Sequence, residues 1–388
     1  MRNNNIPKVR FKQFKGLWNE DKIGNIVSIS AGGDIDRFKL KNKGKYPVVA
    51  NSLTNKGIVG FYDDYKVKSP AVTVTGRGDV GYAVARHENF TPIVRLLTLQ
   101  SEKIDVDYLE NQINSMRILN ESTGVPQLTA PQLGNYKVYY PKIEEQSAIG
   151  SLFRTLDDLL VSYNDNLTNY QSLKATMLSK MFPKAGQTVP EIRLEGFKGE
   201  WEKSKLKDVA HRVQGNDGRM DLPTLTISAS GGWMNQIDRF SANIAGKEQK
   251  NYTLLKKGEL SYNHGNSKLA KYGVVFELQE YEEALVPKVY HSFRVNQLAD
   301  AKFIEIMFST KIPDRELGKL ISSGARMDGL LNISFDDFMN ISIIIPTIKE
   351  QQAISAYFST LDNLINSYQE KFSQLETLKK KLLQDMFI

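Results

Sequence analysis

Pro141-Lys142-Ile143-Glu144-Glu145-Gln146-Ser147-Ala148-Ile149 is answered, 346 minus 141 or 205 residues later, by Pro346-Thr347-Ile348-Lys349-Glu350-Gln351-Gln352-Ala353-Ile354. The match runs on through Phe153/Phe358, Leu156-Asp157/Leu361-Asp362 and Ser162-Tyr163/Ser367-Tyr368, so that 13 of 23 aligned pairs are identical. From each opening an apolar residue recurs every seven positions: Ile149, Leu156, Tyr163, Tyr170 and Met177 in the first copy, Ile354, Leu361, Tyr368, Leu375 and Leu382 in the second. A second row, Leu152, Leu159 and Leu173, with Tyr357, Leu364 and Leu378 in the other copy, completes an a/d pattern. Neither stretch holds an internal proline, and Pro183 closes the first. The spacing predicts two helices of about 38 residues, ~57 Å each at 1.5 Å per residue. A seam that long cannot bury itself. The equivalent seam of the other copy is its natural partner, and a pseudo-twofold relation makes the pair antiparallel.

Working outward, a second repeat precedes each variable stretch. Ile6-Pro7-Lys8-Val9-Arg10-Phe11 matches Val189-Pro190-Glu191-Ile192-Arg193-Leu194, and Phe14-Lys15-Gly16 and Trp18 match Phe197-Lys198-Gly199 and Trp201, now at an offset of 201 minus 18, or 183. Between the matched segments, residues 28–127 and 211–332 show little similarity. Their periodicity reads as mixed α/β: strands at 71–75, 94–99 and 273–277, helices at 105–119 and 298–309, and an apolar strand just before each long helix. The reading is of an α+β protein with a pseudo-twofold internal repeat. Mixed α/β domains at 1–144 and 185–348 are joined by helices at 145–184 and 349–388 that form an antiparallel coiled coil.

Composition narrows the chemistry. With 388 residues, 41% hydrophobic and 24% charged, the chain is long enough for two cores and is neither disordered nor fibrous. It has no cysteine, which removes disulfides and thiolate chemistry, and four dispersed histidines without metal-site spacing. The opening residues are polar and basic rather than an apolar signal, and no apolar run approaches a bilayer span, so a cytoplasmic location is expected. The formal charge of +7 points only weakly to an anionic partner. Residues 28–127 carry 13 basic against 11 acidic side chains, and 211–332 carry 16 against 14, a surplus of two in each.

Catalytic motifs fail one by one. Gly76-Arg77-Gly78-Asp79-Val80-Gly81 has the spacing of a dinucleotide fingerprint, but Tyr82-Ala83-Val84-Ala85-Arg86 reads as a returning strand rather than a helix, so a glycine-rich hairpin tip is expected. No Gly-Lys is followed by Ser or Thr, which excludes a Walker A loop. No two prolines are adjacent, which excludes the Asp/Asn-Pro-Pro-Tyr/Phe motif of base methylation. No Pro-Asp with a following acid-x-Lys makes a nuclease core, and there is no G-x-S-x-G elbow. The chain reads as non-catalytic by itself; a stand-alone DNA-modifying enzyme or a two-headed protein-binding scaffold are the alternatives.

This arrangement resembles the specificity subunits of type I restriction-modification systems, over essentially the whole chain. The resemblance rests on the Pro-x-Ile-x-Glu-Gln-x-Ala-Ile entries at 141–149 and 346–354, the Leu-Asp pairs, and the lead-ins at 7–18 and 190–201. It implies that each variable domain is a target recognition domain reading one half of an asymmetric, bipartite target in double-stranded DNA. It implies helices that set the spacer and dock two modification subunits, through Ile149, Leu156, Tyr163, Ile354, Leu361 and Tyr368. The same resemblance puts S-adenosylmethionine on those partners and ATP and magnesium with the restriction subunits, with no cofactor or metal in this chain. Side-chain chemistry supplies the base-reading candidates. Arg77 suits a bidentate contact to guanine, and Asn263, His264, Asn266 and Lys268 come after the corresponding strand of the second domain. Asn51, Ser52 and Lys56, with Trp233, Asn235 and Gln236, sit in polar segments, and 122–124 and 322–326, with Arg326, precede the returning strands.

Overall fold

The computed structural model describes residues 5–116, 118, 126–240, 246–265, 268–321 and 330–388. The chain divides into two compact units, Met1–Asn166 with Tyr368–Ile388, and Leu167–Ser367.

In the first unit the order is β1 (Asn19–Lys22), β2 (Ser28–Ala31), β3 (Ala71–Val74), β4 (Ala83–Arg86), β5 (Leu97–Gln100), α1 (Val106–Ser115), β6 (Lys137–Tyr140) and the start of α2 (Ile143–Lys180). The main sheet is antiparallel in the order β2-β5-β3-β4, and β1 pairs with β6, Asn19 opposite Tyr140. Helix α1 starts where Asp105 accepts the Tyr108 N–H, and lays Tyr108, Leu109 and Ile113 on the sheet. An outer lobe pairs Tyr46–Val49 with Ile58–Tyr62 and with Thr91–Pro92.

The second unit repeats this plan from unlike sequence. It contains β7 (Glu202–Lys205), β8 (Ala210–Arg212), β9 (Leu260–Asn263), β10 (Val274–Glu277), β11 (His291–Val295), α3 (Ala301–Ser309), β12 (Ser342–Ile345) and the start of α4 (Ile348–Met386). Its sheet order is β8-β11-β9-β10, the same permutation, and β7 pairs with β12. The outer lobe differs. Two separate antiparallel pairings, Leu225–Ser228 with Gly232–Asn235 and Thr253–Lys256 with Glu283–Val286, take the place of the first unit's mixed three-stranded sheet.

The repeated motifs turn out to be the fastenings of this plan. Arg10 lies in a bidentate pair with Glu145, Nε to Oε1 at 2.6 Å and Nη2 to Oε2 at 2.7 Å, while its Nη1 donates to the Gly16 carbonyl at 2.6 Å. Arg193 does the same with Glu350, at 2.7 and 2.6 Å, and with the Gly199 carbonyl. Gln146 accepts from the Asp105 N–H and donates to the Pro141 carbonyl; Gln351 accepts from the Asp300 N–H and donates to Pro346. Each Gln thus ties the N-cap of a sheet-covering helix to the first turn of a long one.

The two long helices pack together and run antiparallel. In the first unit Tyr163 meets Tyr368, with centroids 5.5 Å apart, and Lys379 pairs with Asp157. In the second, Lys174 pairs with Asp362. The aspartates are those of the two Leu-Asp repeats, whose leucines, Leu156 and Leu361, are buried. The ends of the helices close the cores. Phe387 sits against Tyr108 and Phe153, at 5.3 and 5.6 Å, in the cluster that holds Trp18; Phe182 sits against Trp201 and Phe303, at 5.8 and 5.5 Å. A backbone bond seals each junction, Val9 N–H to Asp385 O and Ile192 N–H to Lys180 O.

Three expectations need correcting. The strand expected at 94–99 begins only at Leu97, because Val94 and Arg95 have φ of 52° and 59° and make a left-handed turn. The second heptad row is not a buried seam throughout: Leu159 and Leu378 in the first unit and Leu173 in the second are exposed, while Leu167 is buried. Ile149 and Ile354 serve the domain cores as well as the helix pair, since the first turns of both helices are packed into those cores.

Candidate nucleic-acid interface

The β3–β4 turn is a hairpin tip. Thr75 organises it: its hydroxyl donates to the Asp79 carbonyl at 2.5 Å and accepts the Tyr82 N–H at 2.9 Å, and its carbonyl takes the Gly81 N–H. Gly78 and Gly81, with φ of 78° and 89°, supply the left-handed corners that bring the chain back as β4. Arg77 is exposed on this tip and its backbone bridges to Gln127. Asn51 lies beside it. Its Oδ1 accepts the Gly76 N–H at 2.7 Å and its Nδ2 donates to the Val94 carbonyl at 2.6 Å, so its amide is held by backbone on both sides. Ser52 shares its hydroxyl with Thr54 at 2.9 Å. The Lys56 side chain is exposed, and its carbonyl accepts from Arg86 Nη2 at 2.6 Å. Arg86 is a buried cation that also donates to Thr73, and burial pushes its guanidinium down to about 10. A cleft of about 330 Å³ opens between Gly76, Arg77, Arg95, Gln127 and Thr129.

In the second unit, Asn263 at the end of β9 accepts the Gly265 N–H at 3.1 Å and donates to the Ile227 carbonyl at 3.3 Å. His264 is 5% exposed; its Nδ1 and Nε2 each lie 2.8 Å from a backbone carbonyl, those of Leu331 and Val289, and its ring stacks on His291 with centroids 4.7 Å apart. Both ring nitrogens are therefore engaged by backbone in a buried setting. Trp233 donates to the Glu277 carbonyl and Gln236 is buried, so neither presents a free edge. Asn235 is half-buried and accepts the Ile237 N–H, whereas Lys268 is exposed. Asn266, Arg326 and the segments 122–124 and 322–326 lie outside the described residues. Two antiparallel sheets of one topology therefore carry different loops at corresponding ends.

The family model described as the type I restriction modification DNA specificity domain matches the chain twice, over residues 15–195 and 198–377. The chain belongs to this family. The specificity subunit of the type I restriction enzyme MjaVIII from Methanocaldococcus jannaschii is 22% identical over 415 residues, covering 96% of this chain and 94% of that one. A candidate type I specificity subunit of Mycoplasma pneumoniae is 26% identical over 132 residues, where the match spans 34% of this chain and 36% of that relative. The crystal structure of the type I restriction-modification S subunit from M. genitalium superposes with a TM-score of 0.64 at 15% identity and covers 99% of both chains, a likeness of fold.

Both specificity domains contain polar side chains that sequence chemistry alone assigns to DNA and that the fold uses for itself. The reverse holds for Arg95, which the sequence places inside a strand and the structure places on a turn at the cleft. Its one local signal, a Val-Arg pair between Pro92-Ile93 and Leu96-Leu97, gives no warning of a left-handed turn. The histidine pair of the second specificity domain, one ring buried and the other half-buried, has a measurable consequence. Burial, with His264 and Arg212 nearby, holds the His291 imidazole down at about 4, against an ordinary value of 6.5. A depressed histidine contributes stability that is complete above about 6.5 and is lost as pH falls toward 4. The second domain is expected to lose on the order of 2 kcal/mol between pH 7 and pH 4 from this group, and His291→Gln to flatten that loss in pH-dependent thermal unfolding.

Proposed function

We propose that this chain is the DNA-reading component of a type I restriction-modification complex, without catalysis of its own. Each specificity domain reads one half of an asymmetric, bipartite target in double-stranded DNA, and the helices set the spacer. One observation carries the reading. The chain holds two copies of a single domain plan, with the copies alike in their fastenings and unlike in the loops at the end of the main sheet. Two identical readers would address a palindrome; two readers with different loops address unlike half-sites. Helices of ~57 Å exceed the ~34 Å turn of B-DNA, a length suited to half-sites about one turn apart.

Two modification subunits, binding S-adenosylmethionine, dock on the helices, and restriction subunits supply the ATP- and magnesium-dependent steps. The exposed leucines support docking: Leu159 and Leu378 lie on the helix pair of the first unit and Leu173 on that of the second. Modest charge on the readers supports shared DNA binding, since a surplus of two per variable stretch supplies little phosphate attraction. The expected site of action is the cytoplasm.

Incubating the purified chain with DNA, S-adenosylmethionine, ATP and magnesium is expected to give no turnover, and adding the modification subunits to give methylation of one split motif. Turnover by the chain alone, or unchanged activity of the modification subunits whether or not it is present, contradicts the proposal.

A further inference from the structure

We infer that the cleft between the β3–β4 tip and the Val94–Arg95 turn is a phosphodiester-binding site, in which Arg95 and Arg77 hold one phosphate of the DNA backbone. This rests on the DNA-reading function proposed above and gives one of its contacts a place and a chemistry. Arg77 and Arg95 are exposed and line the same cleft of about 330 Å³. Among the described residues neither guanidinium has an ion-pair partner, whereas Arg10, Arg154, Arg193 and Arg219 each do. Two like charges facing one cleft repel, and an anion between them converts that repulsion into two charge-assisted contacts.

The backbone is built for this proximity. A valine with φ of 52° is costly, because its branched side chain crowds the left-handed conformation, and such a turn persists only where its surroundings over-determine it. Here they do. The Val94 N–H donates to Gly33 O at 2.7 Å, the Arg95 N–H to Gly32 O at 3.0 Å, and Asn51 Nδ2 to the Val94 carbonyl. The same Asn51 holds the Gly76 N–H, so a single side chain brackets the two arginine-bearing segments. Gly76 completes the approach: a Cβ there would stand 3.0 Å from the Arg95 carbonyl and from that of Leu128. Ile93 and Leu96 on either side of the turn are buried, while the Arg95 side chain is exposed at the cleft. Its fixed position beside Arg77 is what the turn provides.

A phosphate contact and a base contact leave different signatures. Binding is measured with the full chain in complex with its modification subunits, on one duplex carrying the methylated motif and one lacking it, across a salt series. Arg95→Gln is expected to weaken binding to both duplexes by about five- to tenfold near 0.1 M salt and to lower the salt slope by about one, leaving the methylated motif unchanged. Arg95→Lys, which keeps the charge, is expected to restore the slope. Asn51→Ala, which releases the bracket, is expected to follow Arg95→Gln in direction, with thermal unfolding of each variant confirming the fold. Unchanged affinity and slope in Arg95→Gln overturn the inference, as does a relaxed motif at one base position, which marks a base contact. Failure of the wild-type complex to bind either duplex overturns the DNA-reading function itself, and the site with it.

Discussion

Arg10→Ala is expected to destabilise the first unit by about 3 kcal/mol and to leave the second nearly untouched, while Arg193→Ala does the converse. Glu145 and Glu350 are almost fully buried, their side chains 3% and 1% exposed, and each receives both oxygens' hydrogen bonds from one guanidinium. Removing the arginine strands a buried carboxylate, and that penalty, rather than the intrinsic strength of the pair, sets the size of the effect. The loss extends further, because the guanidinium also holds Gly16 O or Gly199 O and so fixes the lead-in against the first turn of the long helix. Replacing both partners, as in Arg10→Met with Glu145→Met, is expected to recover most of the stability, since an apolar pair leaves nothing unsatisfied. Hydrogen exchange reads the two units separately: protection within Val106–Ser115 reports the first and within Ala301–Ser309 the second. Equal losses in both units, or a double variant as unstable as the single one, run against this assignment.

Phe387→Ala is expected to cost about 3 to 5 kcal/mol, again in the first unit alone, with Phe182→Ala as its counterpart in the second. Phe387 lies far in sequence from the core it fills, yet it touches Tyr108 and Phe153 in a cluster that includes Trp18 and Leu156. Truncation leaves an aromatic-sized cavity among fully buried rings that have little room to collapse. Because the Val9–Asp385 backbone bond sits next to this plug, the lead-in is expected to lose protection together with α1. Phe387→Leu, which retains most of the volume, is expected to cost less than half as much. A Phe387→Ala variant whose first unit keeps its full protection contradicts this closure.

The helices were legible because heptad spacing is a local signal, and the two-copy plan because the fastenings recur at fixed offsets. What those fastenings do was not legible. Arg10 and Glu145 stand 135 positions apart, and only the fold shows that two separately repeated motifs are halves of one ion pair. The heptad rows overstated the seam, since a helix pair buries one face and Leu159, Leu173 and Leu378 fall beyond it. The interface was read least well, for a physical reason: Asn51 and His264 have the donors and acceptors that base recognition needs, but a loop backbone needs the same groups. Which partner takes them depends on carbonyls and N–H groups brought in from distant segments, Gly76 and Val94 for the one, Val289 and Leu331 for the other. Arg95 was missed for the complementary reason, because a left-handed valine is enforced by tertiary bonds and leaves no mark in the local sequence.

The central claim is that each specificity domain reads its own half of the target. It is tested most directly by replacing residues 28–127 with the corresponding stretch of a relative, assembling the hybrid with the modification subunits, and sequencing the methylated motif. One half of the motif is expected to change while the other half and the spacer are retained. A motif in which both halves change, or neither does, contradicts the claim.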